Sequence, residues 1–275
     1  MKIEQSSLVG TFEQKKTLVS AFNLMHDDFF AIVMKDNEVC EYVLKILLGK
    51  EVKVHSVHTQ YALRNISSHS VVLDVLVEDL DHKLYNVEIQ VADNDDHIKR
   101  VRYYQAAIDW SVLQKGKKYS ELPELYLIYI SMFDIFKQDK SCYEISRTVK
   151  GTDIEADNGV HEMYFNTQAD DGTKLSQLLH YFRESDPTNN DFGALSKAVK
   201  YYKNDERGVS AMCKAVREYG DERAAASKME EKIKTVKRAM EKGNALSDAL
   251  EYAGLDEKTY YEYVEKFSAG SEIDQ

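Results

Sequence analysis

Asp74 and Glu88 are the residues whose placement most suggests chemistry. The first interrupts the apolar run VVLDVLVED (71–79), and the second lies in LYNVEIQVAD (84–93). An unpaired carboxylate inside an apolar strand costs several kcal/mol or more unless something compensates it. Side chains alternate faces along a strand. Val72, Asp74, Leu76 and Glu78 are therefore expected on one side and Leu73, Val75 and Val77 on the other; in the second run Asn86, Glu88 and Gln90 oppose Tyr85, Val87, Ile89 and Val91. A hairpin closed symmetrically about Asp81 sets position 74 against position 88. Directly opposed residues on one face have Cβ atoms about 4.5–5.5 Å apart, so two carboxylates meet on a buried-looking surface. Such a pair is unfavourable unless it shares a proton or a cation neutralises it. Carboxylate oxygens with a backbone carbonyl and water are the donors that Mg²⁺ or Mn²⁺ prefer. The residues thus suggest a divalent-metal site with Asp74 and Glu88 as ligands and Gln90 beside them. An edge-strand acid in water and a solvated Glu88 fit the same letters, and periodicity alone leaves both readings open.

The surrounding elements follow from changes of period. From Thr17 to Leu48 apolar residues recur at helical spacing through Phe22, Phe29, Ile32, Val33, Val39, Tyr42, Val43, Ile46 and Leu47. Two helices are predicted here, with a break and N-cap at Asp36-Asn37 and a stop at Gly49. Val52, Val54 and Val57 read as a first strand, and positions 60–70 as a polar connection. The two runs around Asp81-His82 form the strongest hairpin signal. Helical spacing returns after Asp93, with Asn94 or Asp95 as cap, Ile98, Val101, Gln105 and Ile108 on one stripe, and an end near Gly116. ELYLIYISMF (124–133) reads as a strand buried on both faces. Weaker strands are expected over 143–149 and 161–166, and everything beyond Thr173 is predicted helical. The first part is therefore a mixed α/β arrangement around a central sheet.

Composition narrows the possible classes. The chain has 275 residues, 43% hydrophobic and 11% aromatic, which excludes a disordered chain. Its formal charge of −11 lacks the basic footprint of a duplex binder. That acidity is uneven: residues 200–242 carry twelve Lys/Arg against eight Asp/Glu, whereas the tail from Gly243 carries two Lys against eight acids. No run of about 18 apolar residues could span a bilayer, and MKIEQSSLVGTFEQKK lacks the features of a secretory signal. Cys40, Cys142 and Cys213 form no zinc spacing, so reduced, mostly buried thiols and a cytoplasmic location are expected.

Several blocks together resemble a known family. Asp74, Glu88 and Gln90 form D-x13-E-x-Q, preceded by LMHDDFFAIVM and followed by HIKRVRYYQ and KGKKYSELPELYLIYI. This succession is similar to the PD-(D/E)XK nuclease superfamily, and more narrowly to its family of transposases, also called Rpn or recombination-promoting nucleases. The resemblance runs from about Leu24 to Phe136. It implies an αβββαβ restriction-endonuclease-like core, with a mixed sheet flanked by helices, over residues 17–185. A 1–16 extension would precede the core, and a helical C-terminal region, 186–275, would follow it. It further implies that Asp74 and Glu88, with the backbone carbonyl of Ile89, bind Mg²⁺ or Mn²⁺ for hydrolysis of DNA phosphodiesters in recombination or mobile-element biology. An acid on the first helix is typical of the group, and Asp27 and Asp28 both match the block. Gln90 occupies the usual lysine position. Glutamine hydrogen-bonds but carries no charge, so Lys99, Arg100 or Arg102 on the following helix is expected to supply a cation. A catalytically silent DNA-binding or protein-interaction module is the alternative.

Other features have two readings each. Tyr103, Tyr104 and Gln105 after the basic residues suit a helix facing nucleic acid, or a helix with Tyr104 packed on the core. The scattered His55, His58, His69 and His97 are expected at the surface. Positions 244–267 read as helix, turn and helix around Gly254. The acidity of the second helix repels phosphates, so packing or self-association into a homo-oligomer is expected of the C-terminal helices rather than groove reading.

Overall fold

The computed structural model describes residues 9–63, 71–113 and 116–268. Along the chain these form α1 (Phe12–Ser20), α2 (Asp27–Met34), α3 (Asn37–Leu48), β1 (Val54–Leu63), β2 (Val71–Asp79), β3 (Leu84–Gln90), α4 (His97–Val112), β4 (Leu125–Ser131), β5 (Cys142–Ile145), β6 (Val160–Asn166), α5 (Lys174–Tyr181), α6 (Gly193–Asn204), α7 (Glu206–Glu241), α8 (Leu246–Ala253) and α9 (Glu257–Ser268). Strand order in the sheet is β1-β2-β3-β4-β6-β5. The β1–β2, β2–β3 and β5–β6 pairs are antiparallel, while β3–β4 and β4–β6 are parallel. The expected αβββαβ succession is therefore present as α3-β1-β2-β3-α4-β4, within a mixed α/β fold that continues into a helical C-terminal region.

Local signals explain several boundaries. The Asp36 side chain accepts hydrogen bonds from the N–H groups of Glu38 and Val39 and so caps α3. Gly49 ends that helix at φ 66°, a left-handed conformation that costs glycine least. β4 is buried at every position, as its unbroken apolar run predicts for a strand with parallel neighbours on both sides. Helix α4 starts later than expected: Asp96 stands at its N-cap instead of Asn94 or Asp95. Of its predicted stripe, Val101 and Ile108 are buried but Ile98 is exposed.

Two apolar layers sandwich the sheet. One packs β2, β3 and β4 against α2, α3, α5, α6 and the first third of α7, from Val19 through Val33, Val87, Ile128 and Leu179 to Val216. The other lies under α4, with Leu73, Leu76, Leu127, Tyr129, Val101 and Ile108. A third, smaller cluster joins the end of α7 to α8 and α9 through Ile233, Val236, Ala249 and Leu250. Cys40 and Cys213 are buried, Cys142 is partly buried, and all three are free. No helix among the described residues is long and apolar enough to cross a membrane.

The sheet differs from the expected alternation at one place. Val75 and Val77 face the first layer, whereas Val71, Leu73 and Leu76 face the second. Leu73 and Val75 thus lie on opposite faces instead of sharing one, so the pleat changes phase at Asp74. On the neighbouring strand Val57 packs with the first layer and Tyr61 with the second. Gln60 between them has φ 52°. The two outer strands change face together, and the functional residues gather at that step.

Candidate active site at the strand fork

The β2–β3 ladder pairs Glu78 with Leu84, Val77 with Tyr85, Leu76 with Asn86 and Val75 with Val87. This is the register that opposes positions 74 and 88. Regular pairing stops at Val75, because β2 then turns away with β1, which it follows as far as Leu63 and Val71. A fork opens between β2 and β3, with Asp74 on one prong and Glu88 on the other.

Side chains complete the interrupted ladder. The Ile89 N–H donates to Asp74 Oδ2 at 3.0 Å, and the Asp74 N–H donates to Glu88 Oε1 at 3.2 Å. Each carboxylate thereby takes the place of a lost backbone carbonyl and keeps its second oxygen outside these bonds. In a strand, N–H and C=O of one residue point towards the same neighbour. The Gln90 carbonyl is taken by the Met132 N–H from the end of β4, so the carbonyl of Ile89 faces the fork as its N–H does.

The electrostatics of the pair are strained. Glu88 is 6% exposed. Burial, with a smaller contribution from the Asp27 charge, raises the Asp74 pKa to about 7, despite the Ile89 hydrogen bond that opposes the shift. Burial and then the charge of Asp74 push Glu88 well above the ordinary carboxylate range, while the Asn86 amide and the Arg100 charge act the other way. A half-buried carboxyl and a buried one therefore face each other without a full countercharge.

Three elements surround the fork. Of the two candidate acids on α2, Asp28 is buried and bonded to Arg223 Nη2 of α7 at 2.8 Å. Exposed Asp27 is the one whose charge acts on Asp74. On α4, Arg100 Nη1 donates to Gln90 Oε1 at 2.9 Å and Nη2 to Asp96 Oδ1 at 3.3 Å. The Gln90 amide in turn donates to the Ala92 carbonyl at 2.6 Å. Lys99, Arg102 and Tyr103 are exposed on the same helix, so Arg100 is the basic residue that the structure brings to Gln90. Tyr104 is half-buried against the second layer, close enough for its burial-raised pKa to respond to Glu88, Asp74 and Arg100.

Several neighbours were not evident from the sequence. Gln60 falls opposite Asp74 in the β1–β2 register, between the Thr59–Val75 and Tyr61–Leu73 pairs. Its Nε2 is buried without a hydrogen-bond partner, although the amide is near enough to favour ionised Asp74. The signal lay in pairing with a strand that extends to Leu63, into the stretch that reads as a polar connection. Helix α7 supplies Tyr219, whose hydroxyl lies 3.3 Å from that of Thr59, as well as Arg223. No local spacing announces either contact. His97 corrects a further expectation: it is 5% exposed, with Nδ1 3.0 Å from Tyr129 Oη and Nε2 3.0 Å from Asp93 Oδ1. His55 is exposed, His58 is partly buried, and His69 lies outside the described residues.

Among the described residues, no group of three or more His, Cys, Asp or Glu side chains is disposed to hold a metal ion. The fork instead offers two carboxylates and a backbone carbonyl. Residues 36–162 match the family model described as PD-(D/E)XK nuclease family transposase, a segment that contains both fork acids, Gln90 and Arg100. Neither a curated protein nor a solved structure matches the chain. Residues 36–162, 127 of the 275, are thus similar to the PD-(D/E)XK nuclease family of transposases, and the fork with both its acids lies inside that segment.

Proposed function

We propose that the chain is a divalent-metal-dependent endonuclease that hydrolyses DNA phosphodiester bonds, in a role related to recombination or mobile elements. The observation that carries this reading is the buried, under-neutralised Asp74–Glu88 pair at the fork of β2 and β3. Two carboxylates and the Ile89 carbonyl are hard oxygen donors and fit Mg²⁺ or Mn²⁺. Asp74, Glu88 and Ile89 would hold the ion, with the charge of Asp27 on α2 acting on Asp74. Such an ion supplies Lewis acidity towards a phosphate and countercharge for its transition state.

The chain's own residues do the rest. The reciprocal Ile89–Asp74 and Asp74–Glu88 hydrogen bonds fix both carboxylates to backbone that the sheet holds rigid. Burial keeps water from screening them, which strengthens each interaction at the fork. Gln90, held between Ala92 and Arg100, presents a neutral amide beside the acids.

A second reading, a catalytically silent module that binds DNA or protein through this fold, is favoured by Gln90 and by the absence of a three-acid cluster among the described residues. Supercoiled plasmid incubated with purified protein and Mg²⁺ or Mn²⁺ separates the two. Nicking or linearisation that disappears in Asp74→Ala and Glu88→Ala supports the nuclease. Cleavage that persists in both variants removes the proposed site, and an inert wild type with every divalent ion leaves the silent module.

A further inference from the structure

We infer that Arg100 is a catalytic residue of this site, contacting the phosphate that undergoes attack and supplying the positive charge that Gln90 lacks. The inference rests on the reading of the fork as a phosphodiester site.

Position comes first. Arg100 stands one turn into α4, where Asp96 holds one end of its guanidinium and Gln90 the other. The side chain is 28% exposed, so the planar group is fixed by two partners and still reaches solvent. A guanidinium has five N–H donors in a rigid fork. The bonds to Gln90 and Asp96, with a further one to the Tyr104 hydroxyl, use part of that set and leave donors over for a ligand at the mouth of the fork.

Charge comes second. Arg100 is the cation whose field acts on Glu88, and it also acts on Tyr104 and Tyr129. Lys99 and Arg102, next to it in sequence, are exposed, and neither is among the groups that act most strongly on the acid pair. A phosphate that approached two carboxylates would meet net repulsion. A fixed guanidinium at the same mouth offsets part of that repulsion and favours the extra negative charge of a pentacovalent transition state.

Chemistry comes third. Gln90 Oε1 accepts from Arg100, and the amide nitrogen of Gln90 donates to Ala92. Gln90 is therefore oriented as an acceptor towards the guanidinium, which makes it a positioning residue for Arg100. The neutral side chain on β3 and the cation on α4 act as one unit.

The test combines salt-dependent binding with cleavage. Anisotropy titrations of a labelled duplex in EDTA, over a series of salt concentrations, are run on wild type, Arg100→Gln, Arg100→Lys and Gln90→Ala, with melting temperatures recorded for each. Mn²⁺-dependent plasmid cleavage is measured on the same preparations. Loss of one phosphate contact in Arg100→Gln lowers the slope of log affinity against log salt by about 0.9. Cleavage falls on the order of 10²-fold. Arg100→Lys retains the slope and recovers part of the rate, and Gln90→Ala retains the slope while the rate drops less. A wild-type slope in Arg100→Gln overturns the inference, even where the plasmid is still cut. An altered slope in a protein that never cuts upholds the phosphate contact and defeats the nuclease reading instead. Equal changes in slope and rate for Gln90→Ala and Arg100→Gln would show that Arg100 merely buttresses Gln90.

Discussion

The β2–β3 hairpin carries a buried or half-buried aspartate at each end, and their surroundings are opposite. At the closed end Asp79 accepts from the N–H groups of Asp81 and Lys83 at 2.9 and 2.8 Å and from the Tyr85 hydroxyl at 2.8 Å. Three donors converge on one carboxylate, and its charge serves only to close the turn. At the open end Asp74 accepts one backbone N–H and faces a second acid. Lys203 in α6 gives the same lesson with the sign reversed. It is 1% exposed, with its ammonium held by the carbonyls of Ser20, Phe22 and Ser185, although burial still lowers its pKa to about 8. Asp79 and Lys203 are buried charges with full complements of partners, and they are structural. The fork, unlike them, holds acids without a full set of partners, which is the usual mark of a functional site.

The largest difference is expected in activity. Asp74→Asn and Glu88→Gln should each reduce metal-dependent cleavage by about 10³-fold or more, since the countercharge they anchor is worth several kcal/mol in the transition state. Asp79→Asn should cut plasmid normally once its stability is allowed for. A loss of cleavage in Asp79→Asn comparable to that in Asp74→Asn would abolish the contrast.

Stability should move in the opposite sense. The raised folded-state pKa of Asp74 means that the native chain binds its proton more tightly than the unfolded chain does. The ionised form therefore destabilises the fold increasingly as pH rises from about 4 to about 7. Below that window the penalty vanishes. Metal-free Asp74→Asn should be more stable than wild type at pH 8 by roughly 2–4 kcal/mol, with the advantage gone near pH 4. Urea melts at the two pH values decide this, and a variant less stable at pH 8 would mean that Asp74 is already neutralised. Asp79→Ala, by contrast, should lose about 2 kcal/mol at pH 7 because it strands the Tyr85 hydroxyl and two backbone donors.

The smallest effect is that of the ion itself. At pH 8, millimolar Mg²⁺ or Mn²⁺ should raise wild-type stability by about 1–2 kcal/mol through binding to the native state. The gain should be absent in Asp74→Asn and intact in Asp79→Ala. Scanning calorimetry with and without EDTA measures it, and an equal rise in all three proteins would place the ion elsewhere.

Much of this contrast is legible in the residues. The symmetric turn at Asp81 fixes the 74–88 opposition, because the position of a tight turn sets the register of its hairpin. The polar break at Asp36 and the glycine at position 49 delimit α3 for similarly local reasons. The change of face at Asp74 was hidden because positions 71–77 are apolar apart from Asp74 itself, so their parity can be read either way. Gln60 was hidden by a strand that continues into polar sequence. The choice between Asp27 and Asp28 depends on Arg223, 195 residues away, and His97 is buried through partners on β4 and the β3–α4 loop. The contacts with Arg223 and Tyr129 are too distant in sequence to leave a local periodicity to detect.

Helix α7 adds a consequence for how the chain is made. Its first third completes the layer that also contains Val19, Phe22 and Phe29, and its Arg223 holds Asp28 of α2. The helix bearing the candidate acids is thus synthesised early but acquires its last partners only after residue 223 has left the ribosome. Until then its apolar face, Phe29, Phe30 and Val33, lacks part of its cover, a condition that favours aggregation or chaperone capture of nascent chains. A chain truncated within α6 would carry both fork acids and yet leave α2 without its clasp. Translation thereby delays the full packing of α2 beside the fork until residue 223 has emerged, 135 residues after Glu88.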